Sequence, residues 1–216
     1  MQEYSDFTLY LYRTYRHTHK RFIVSDWEGD NNIYCQAAYA YAVSPQFRAY
    51  CDTNYAAFYG NRSPAESLKG LKLWHQARQR GIADGRNRAA AEGIGGMRVC
   101  FAPEFSITRA LHDAGLPSVL YDILPGVMFD YVSYSAYESI NQPDPGARLA
   151  ADLETIQSVT GSSAIIIGEA GFARSVWGAE TITRTDQVIA AALAWGDLDG
   201  NATPLAEYFA EKFAAQ

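Results

Sequence analysis

Two segments of the chain, IVSDWEGD (residues 23–30) and AIIIGEAGF (residues 164–172), each run an apolar, β-branched stretch into a glutamate with a glycine within two residues. This pattern puts Glu28 and Glu169 at strand ends, where α/β folds keep their chemistry. Two such carboxylates suit a reaction in which one group attacks while a protonated partner donates. Retaining glycoside hydrolysis uses such a pair at a separation of about 5–5.5 Å. Glu104, in APEF, ends another apolar run and reads as a substrate contact or third carboxylate. Asp26 and Asp30 flank Glu28, and neighbouring carboxylates raise one another's pKa, which suits a proton donor. Asp30 reads equally well as a turn cap.

Aromatic residues near these glutamates supply candidate sugar contacts: Trp27 beside Glu28, Tyr134 and Tyr137 in FDYVSYSAY, and Trp177 beyond the Glu169 segment. The bland reading of the tyrosine-rich strand is core packing, since aromatic residues favour strands. Residues 34–59 read as a long loop holding six tyrosines. About half of these are expected to pack the loop itself and the others to offer stacking faces. His17 and His19 precede the first strand and read as solvated, while His75 and His112 lie on helices as surface or packing residues.

The elements that must position these groups alternate. Residues 4–16 carry Phe7, Leu11 and Tyr15 at a four-residue step, a helix pattern. Strands are expected at 21–26, 97–102, 129–134 and 164–168. Between them fall a long helix over 63–92, capped by Ser63 with Pro64 at its first position and broken near Gly81 or Gly85, a short helix over 107–114, and a helix over 144–159. Another spans 180–195, followed by DLDGNATPLAEYF with no apolar strand between. Such alternation argues a parallel sheet flanked by helices.

In strand order and in its two glutamate segments the chain resembles the clan A glycoside hydrolases, the cellulase-like and mannanase-like (β/α)8 TIM-barrel enzymes. The resemblance implies an α/β glycosidase barrel of which strands 4 to 7 are visible and strands 1 to 3 and 8 are absent. It implies that Glu28, at strand 4, is the acid/base and Glu169, at strand 7, the nucleophile. Tyr137 would hydrogen-bond that nucleophile from strand 6. Trp27 stands where the clan usually carries asparagine. The implied activity is hydrolysis of O-glycosidic bonds in a poly- or oligosaccharide by a two-glutamate double displacement. A non-catalytic carbohydrate-binding or degenerate fragment is the alternative. An aldolase-like lyase is disfavoured because Lys20, Lys69, Lys72 and Lys212 fall before a strand or in helices.

The 216 residues fit a single domain, 1–216, and the net charge of -6 argues against nucleic acid as a partner. No run of about 18 apolar residues is present, and the N-terminus lacks the basic start and apolar block of a secretory signal. Location is left open, since a complete protein could be secreted. No cofactor or metal is expected, because Cys35, Cys51 and Cys100 lack metal-ligand spacing. Cys35 and Cys51 could pair in an oxidising compartment. The expected partner is a carbohydrate substrate, with self-association through open sheet edges as a further possibility.

Overall fold

The computed structural model describes residues 1–198. Helix α1 (Gln2–Tyr15) lies along α4 (Pro64–Ala91). A reciprocal capping box starts α4: Ser63 accepts from the Glu66 amide, and the Glu66 carboxylate accepts from the Ser63 amide at 2.7 Å. The expected break at Gly81 or Gly85 does not occur, and α4 is one 28-residue helix. A Cβ on Gly85 would stand 2.5 Å from Thr8 Cβ and 2.6 Å from the Ser5 carbonyl oxygen, so this glycine serves the close helix crossing.

The strands are β1 (Arg21–Ser25), β2 (Arg98–Ala102), β3 (Glu104–Phe105), β4 (Val132–Ser135) and β5 (Ile165–Glu169). They form two small parallel sheets, β1-β2 and β3-β4-β5. Only Pro103 separates β2 from β3. Having no N–H, this proline interrupts the ladder, while its carbonyl accepts from the Ser133 amide at 3.0 Å.

This overturns the expected incomplete (β/α)8 barrel, and with it the numbering of the strands as 4 to 7 of eight. Consecutive barrel strands would run on as one sheet. Here five short strands fall into two separate sheets among the described residues, and β2 is paired to β1 alone. Apolar runs signalled β1, β2, β4 and β5, but not the two-residue β3 or the split between the sheets.

Residues 34–59 are also not a loop. They form α2 (Ala38–Val43) and α3 (Pro45–Tyr59), with Ser44 capping α3 through the Phe47 amide at 3.2 Å. Tyr34, Tyr41 and Tyr55 are buried within this layer, whereas Tyr39 and Tyr50 are exposed. Cys35 and Cys51 form a disulfide with Cα atoms 5.9 Å apart, tying the approach to α2 to the middle of α3.

The remaining helices are α5 (Ala110–Asp113), α6 (Tyr137–Ile140), α7 (Pro145–Thr160), α8 (Arg174–Trp177) and α9 (Glu180–Leu198). A π-helical turn over Val119–Ile123 and a 3-10 turn over Leu124–Gly126 precede β4. The core packs Leu111, Leu120, Ile140 and Leu149 with Phe105 and Tyr134, whose rings stack at 5.1 Å. The end of the DLDGNATPLAEYF segment, from residue 199 onward, lies outside the described residues.

Candidate functional site

The turn leaving β1 is fastened to β3 by three main-chain amides and two carboxylates. The Glu104 amide donates to Asp26 Oδ1 at 3.1 Å, the Glu28 amide donates to Glu104 Oε1 at 3.2 Å, and the Gly29 amide donates to the Glu104 carbonyl at 3.1 Å. A Cβ on Gly29 would meet that carbonyl and Val119 Cγ2, each at 3.0 Å, so only glycine permits the approach. Glu28 itself has φ 30°, a conformation that non-glycine residues rarely hold. Such backbone is retained where the surroundings fix it, and functional sites are a common setting.

The Glu28 carboxylate is gripped from two sides. Ser135 Oγ at the end of β4 donates to Oε1 at 2.6 Å, and the Asn31 side-chain amide donates to Oε2. Asn31 is fixed in turn by the Ala38 amide, which donates to its Oδ1 at 2.8 Å. Glu104 lies buried beneath, and Ser133 Oγ donates to its Oε2 at 2.7 Å. Burial raises the Glu104 carboxyl above its ordinary value, assisted by the charges of Glu169 and Glu28 and opposed by its hydrogen bonds.

Glu169 reaches this cluster through a β-bulge. Tyr134 pairs with Ile167, but the next residue, Ser135, pairs with Glu169, leaving Gly168 extra on β5. A Cβ on Gly168 would fall onto the Glu104 carboxylate and the Ser133 hydroxyl, so those groups occupy the side-chain space that glycine vacates. Bulges commonly re-aim a side chain beside an active site. Burial first, then the Glu28 charge, holds the Glu169 carboxyl above its usual range. The Tyr137 phenol is also raised, by burial and by the charges of Glu169, Glu28 and Glu104, which places it within the field of all three.

Glu28 and Tyr137 line a cleft of about 550 Å³ together with Asn31, Gln36, Tyr39 and Asn141. This size falls in the range of about 300–1,000 Å³ found for small-molecule sites. Of the residues expected from sequence, Glu28 and Tyr137 line this cleft; Glu104 and Glu169 are not in its lining, Glu104 being tied to Glu28 by a hydrogen bond and Glu169 to both by charge. No hydrogen bond joins Tyr137 to Glu169 among the described residues.

Other expected contacts are placed elsewhere. Tyr134 is fully buried, with its hydroxyl on Ser139 Oγ at 2.7 Å, and serves the core. Asp30 is buried too, accepting the Ser106, Ile107 and Val119 amides at 3.0, 3.3 and 2.8 Å; it ties distant segments together and neither lines the cleft nor caps its own turn. Trp177 packs edge-on to Phe172 and beneath the Arg184 guanidinium, 3.7 Å from the ring centroid, away from the cleft lining. Trp27 is exposed on the surface beside Glu28 and does not line the cleft.

Asp26 faces the other way, toward His75 and Arg78. His75 Nε2 lies 3.6 Å from Asp26 Oδ2, and Arg78 Nη1 lies 3.5 Å from Oδ1. Burial raises Asp26 to about 7 and Asp30 to about 6, so desolvation, not the expected mutual repulsion around Glu28, dominates both shifts. His75 is fully buried and is pushed down to about 3 by desolvation, assisted by the Arg78 charge.

Sequence reasoning missed Asn31, Ser133 and Ser135, the donors that orient the carboxylates, and the cleft-lining Gln36 and Asn141; Tyr39 belongs to the tyrosines expected to offer stacking faces. The serines alternate within VSYS, a pattern that says they share a strand face but not that the face meets Glu28. No protein-family model, curated protein or solved structure matches the chain. Among the described residues, no helix is long and apolar enough to cross a membrane.

Proposed function

We propose that the chain is the catalytic region of a retaining glycoside hydrolase acting on a poly- or oligosaccharide. The observation that carries this reading is the convergence of Glu28, Glu104 and Glu169 from the turn after β1, the start of β3 and the end of β5, with Glu28 lining an open cleft. The likeness of the two glutamate segments to those of clan A enzymes supports it and suggests the roles. In the first step the Glu169 carboxylate bonds to the anomeric carbon while the Glu28 carboxyl proton passes to the leaving oxygen. In the second, Glu28 takes a proton from water, whose oxygen replaces Glu169 at the anomeric carbon. Asn31 and Ser135 orient Glu28, while Glu104 holds the Glu28 main chain. Asn31, Gln36 and Asn141 offer amide donors and acceptors to sugar hydroxyls, and Tyr137 and Tyr39 offer ring faces.

The competing reading is a non-catalytic carbohydrate-binding cleft, favoured by the engagement of both Glu28 oxygens with protein donors. Glu28→Gln and Glu169→Gln separate the two. Hydrolysis of an oligosaccharide panel is expected to vanish in both variants while binding persists, and azide is expected to rescue the Glu169 variant on an activated substrate. An unmodified chain that binds glycans without turning them over would establish the binding reading.

A further inference from the structure

A second hollow, of about 410 Å³, adjoins the cleft and shares Tyr39, Glu138 and Gln142 with it. Its other walls include Val43, Asp113 and two arginines, Arg109 and Arg148. The arginines are held by one buried carboxylate. Arg109 Nε donates to Asp152 Oδ1 at 2.7 Å and Arg148 Nε donates to Oδ2 at 3.2 Å, while Ser139 Oγ adds a 2.7 Å bond to Oδ2. Asp152 is fully buried, whereas the two arginine side chains retain 34% and 30% exposure. Each guanidinium is thus gripped by Nε, and among the described residues no hydrogen bond occupies its Nη groups. Fixing a planar fork in advance reduces the entropy lost when it binds a ligand oxygen.

Charge and shape indicate what that oxygen belongs to. The hollow's lining opposes two arginines with Asp113 and Glu138, and Asp152 stands directly behind the arginines, so the surface is not an anion trap. Glu138 is already occupied, accepting from the Thr108, Arg109 and Ala110 amides and the Thr108 hydroxyl. What lines the hollow is a set of fixed donors, one exposed carboxylate acceptor at Asp113, and the Tyr39 side chain. Donors and acceptors without net positive charge, beside an aromatic ring, suit a neutral polyol.

We propose that this hollow is a distal saccharide subsite, with Arg109 and Arg148 as its hydrogen-bond donors and Tyr39 as the wall it shares with the cleft, so that the preferred ligand is a neutral oligosaccharide long enough to occupy both. The inference rests on the reading that the cleft takes a saccharide.

Calorimetric titration of the Glu169→Gln chain tests it, using neutral gluco-, manno-, xylo- and galacto-oligomers from disaccharide to hexasaccharide, with an oligogalacturonide as the acidic arm. The best-bound neutral series is expected to gain about tenfold or more in affinity on lengthening, the equivalent of one or two charge-assisted hydrogen bonds. That gain is expected to vanish in Arg109→Gln/Arg148→Gln with disaccharide affinity unchanged. Val43→Trp, which fills the hollow from an exposed position without touching Asp152, is expected to remove the gain too, so that a folding defect in the arginine variant does not decide the matter. Affinity independent of length, a gain that survives both variants, or tighter binding of the acidic oligomer overturns the subsite and leaves the glycosidase reading intact. Failure of every saccharide to bind overturns both.

Discussion

Glu28 and Glu104 are joined main chain to side chain: the Glu28 amide donates to Glu104 Oε1 at 3.2 Å, so a buried carboxylate sets where a cleft-facing one begins. Glu104→Ala strands that amide and the Ser133 hydroxyl, and an unsatisfied buried donor costs about 1–3 kcal/mol. Denaturant unfolding is expected to show that loss. Turnover is expected to fall about 100-fold, the order of effect produced by a displacement of about 1 Å. Glu104→Gln retains an acceptor for Glu28 and is expected to keep most of the stability.

Ser135→Ala removes one of the two donors on Glu28. A hydrogen bond that orients a neutral carboxyl contributes about 0.5–1.5 kcal/mol, which corresponds to a fall in kcat of about 2- to 10-fold. Thermal unfolding should change much less than the rate. A variant as active as the parent would show that Ser135 does not orient Glu28.

The acid limb of the rate profile is expected to lie above the ordinary glutamate range. Burial, the first cause of the shift, keeps the Glu169 carboxyl protonated to higher pH than usual, and a protonated carboxyl cannot attack. Over that limb Glu28 still holds the proton it donates and adds no charge. In Glu28→Gln, assayed with a leaving group that needs no proton, the acid limb should therefore stay in place.

Asp26 and His75 impose opposite slopes on stability. Asp26 is raised from 3.8 to about 7, so the folded chain binds its proton more tightly and stability is lost as pH climbs through that window. His75 is lowered from 6.5 to about 3, so its contribution is present above the ordinary histidine value and lost as pH falls through the folded one. The lead of the parent over Asp26→Asn should shrink, or its deficit grow, from pH 3.8 to about 7, while its lead over His75→Asn should grow from about 3 to pH 6.5. Urea titrations across pH check both signs.

Reduction of the Cys35–Cys51 bond releases a link across a sequence separation of 16 residues, for which chain entropy gives about 3 kcal/mol. Unfolding with and without reductant should differ by that order, and Cys35→Ser/Cys51→Ser should match the reduced chain.

Local chemistry was legible in the sequence where one residue type serves one purpose. Ser63 with Glu66 announced the start of α4, and ILE-rich residues 165–167 announced β5. Glu169 was recognisable as a strand-end acid because an apolar run stops at it, whereas Glu28 stands in the turn three residues past β1 and Glu104 opens β3. The split into two small sheets was not legible, since it depends on which strand pairs with which, and periodicity describes a strand's faces but not its neighbours. Tyr134 and Trp177 were misplaced for a related reason: an aromatic ring suits a core or a sugar face equally, and only packing distinguishes them. Gly81 and Gly85 suggested a helix break because propensity speaks before the neighbouring helix does.

The bulge at Gly168 gives the proposed reactive pair unequal mechanical support. Glu28 is braced by β3, β4 and the approach to α2, whereas Glu169 ends a strand that pairs with β4 alone among the described residues. Among those residues the aim of Glu169 rests on a single backbone seam. A main chain docking along the other flank of β5 would act as a tuning screw, changing the angle of one carboxylate without touching the cleft.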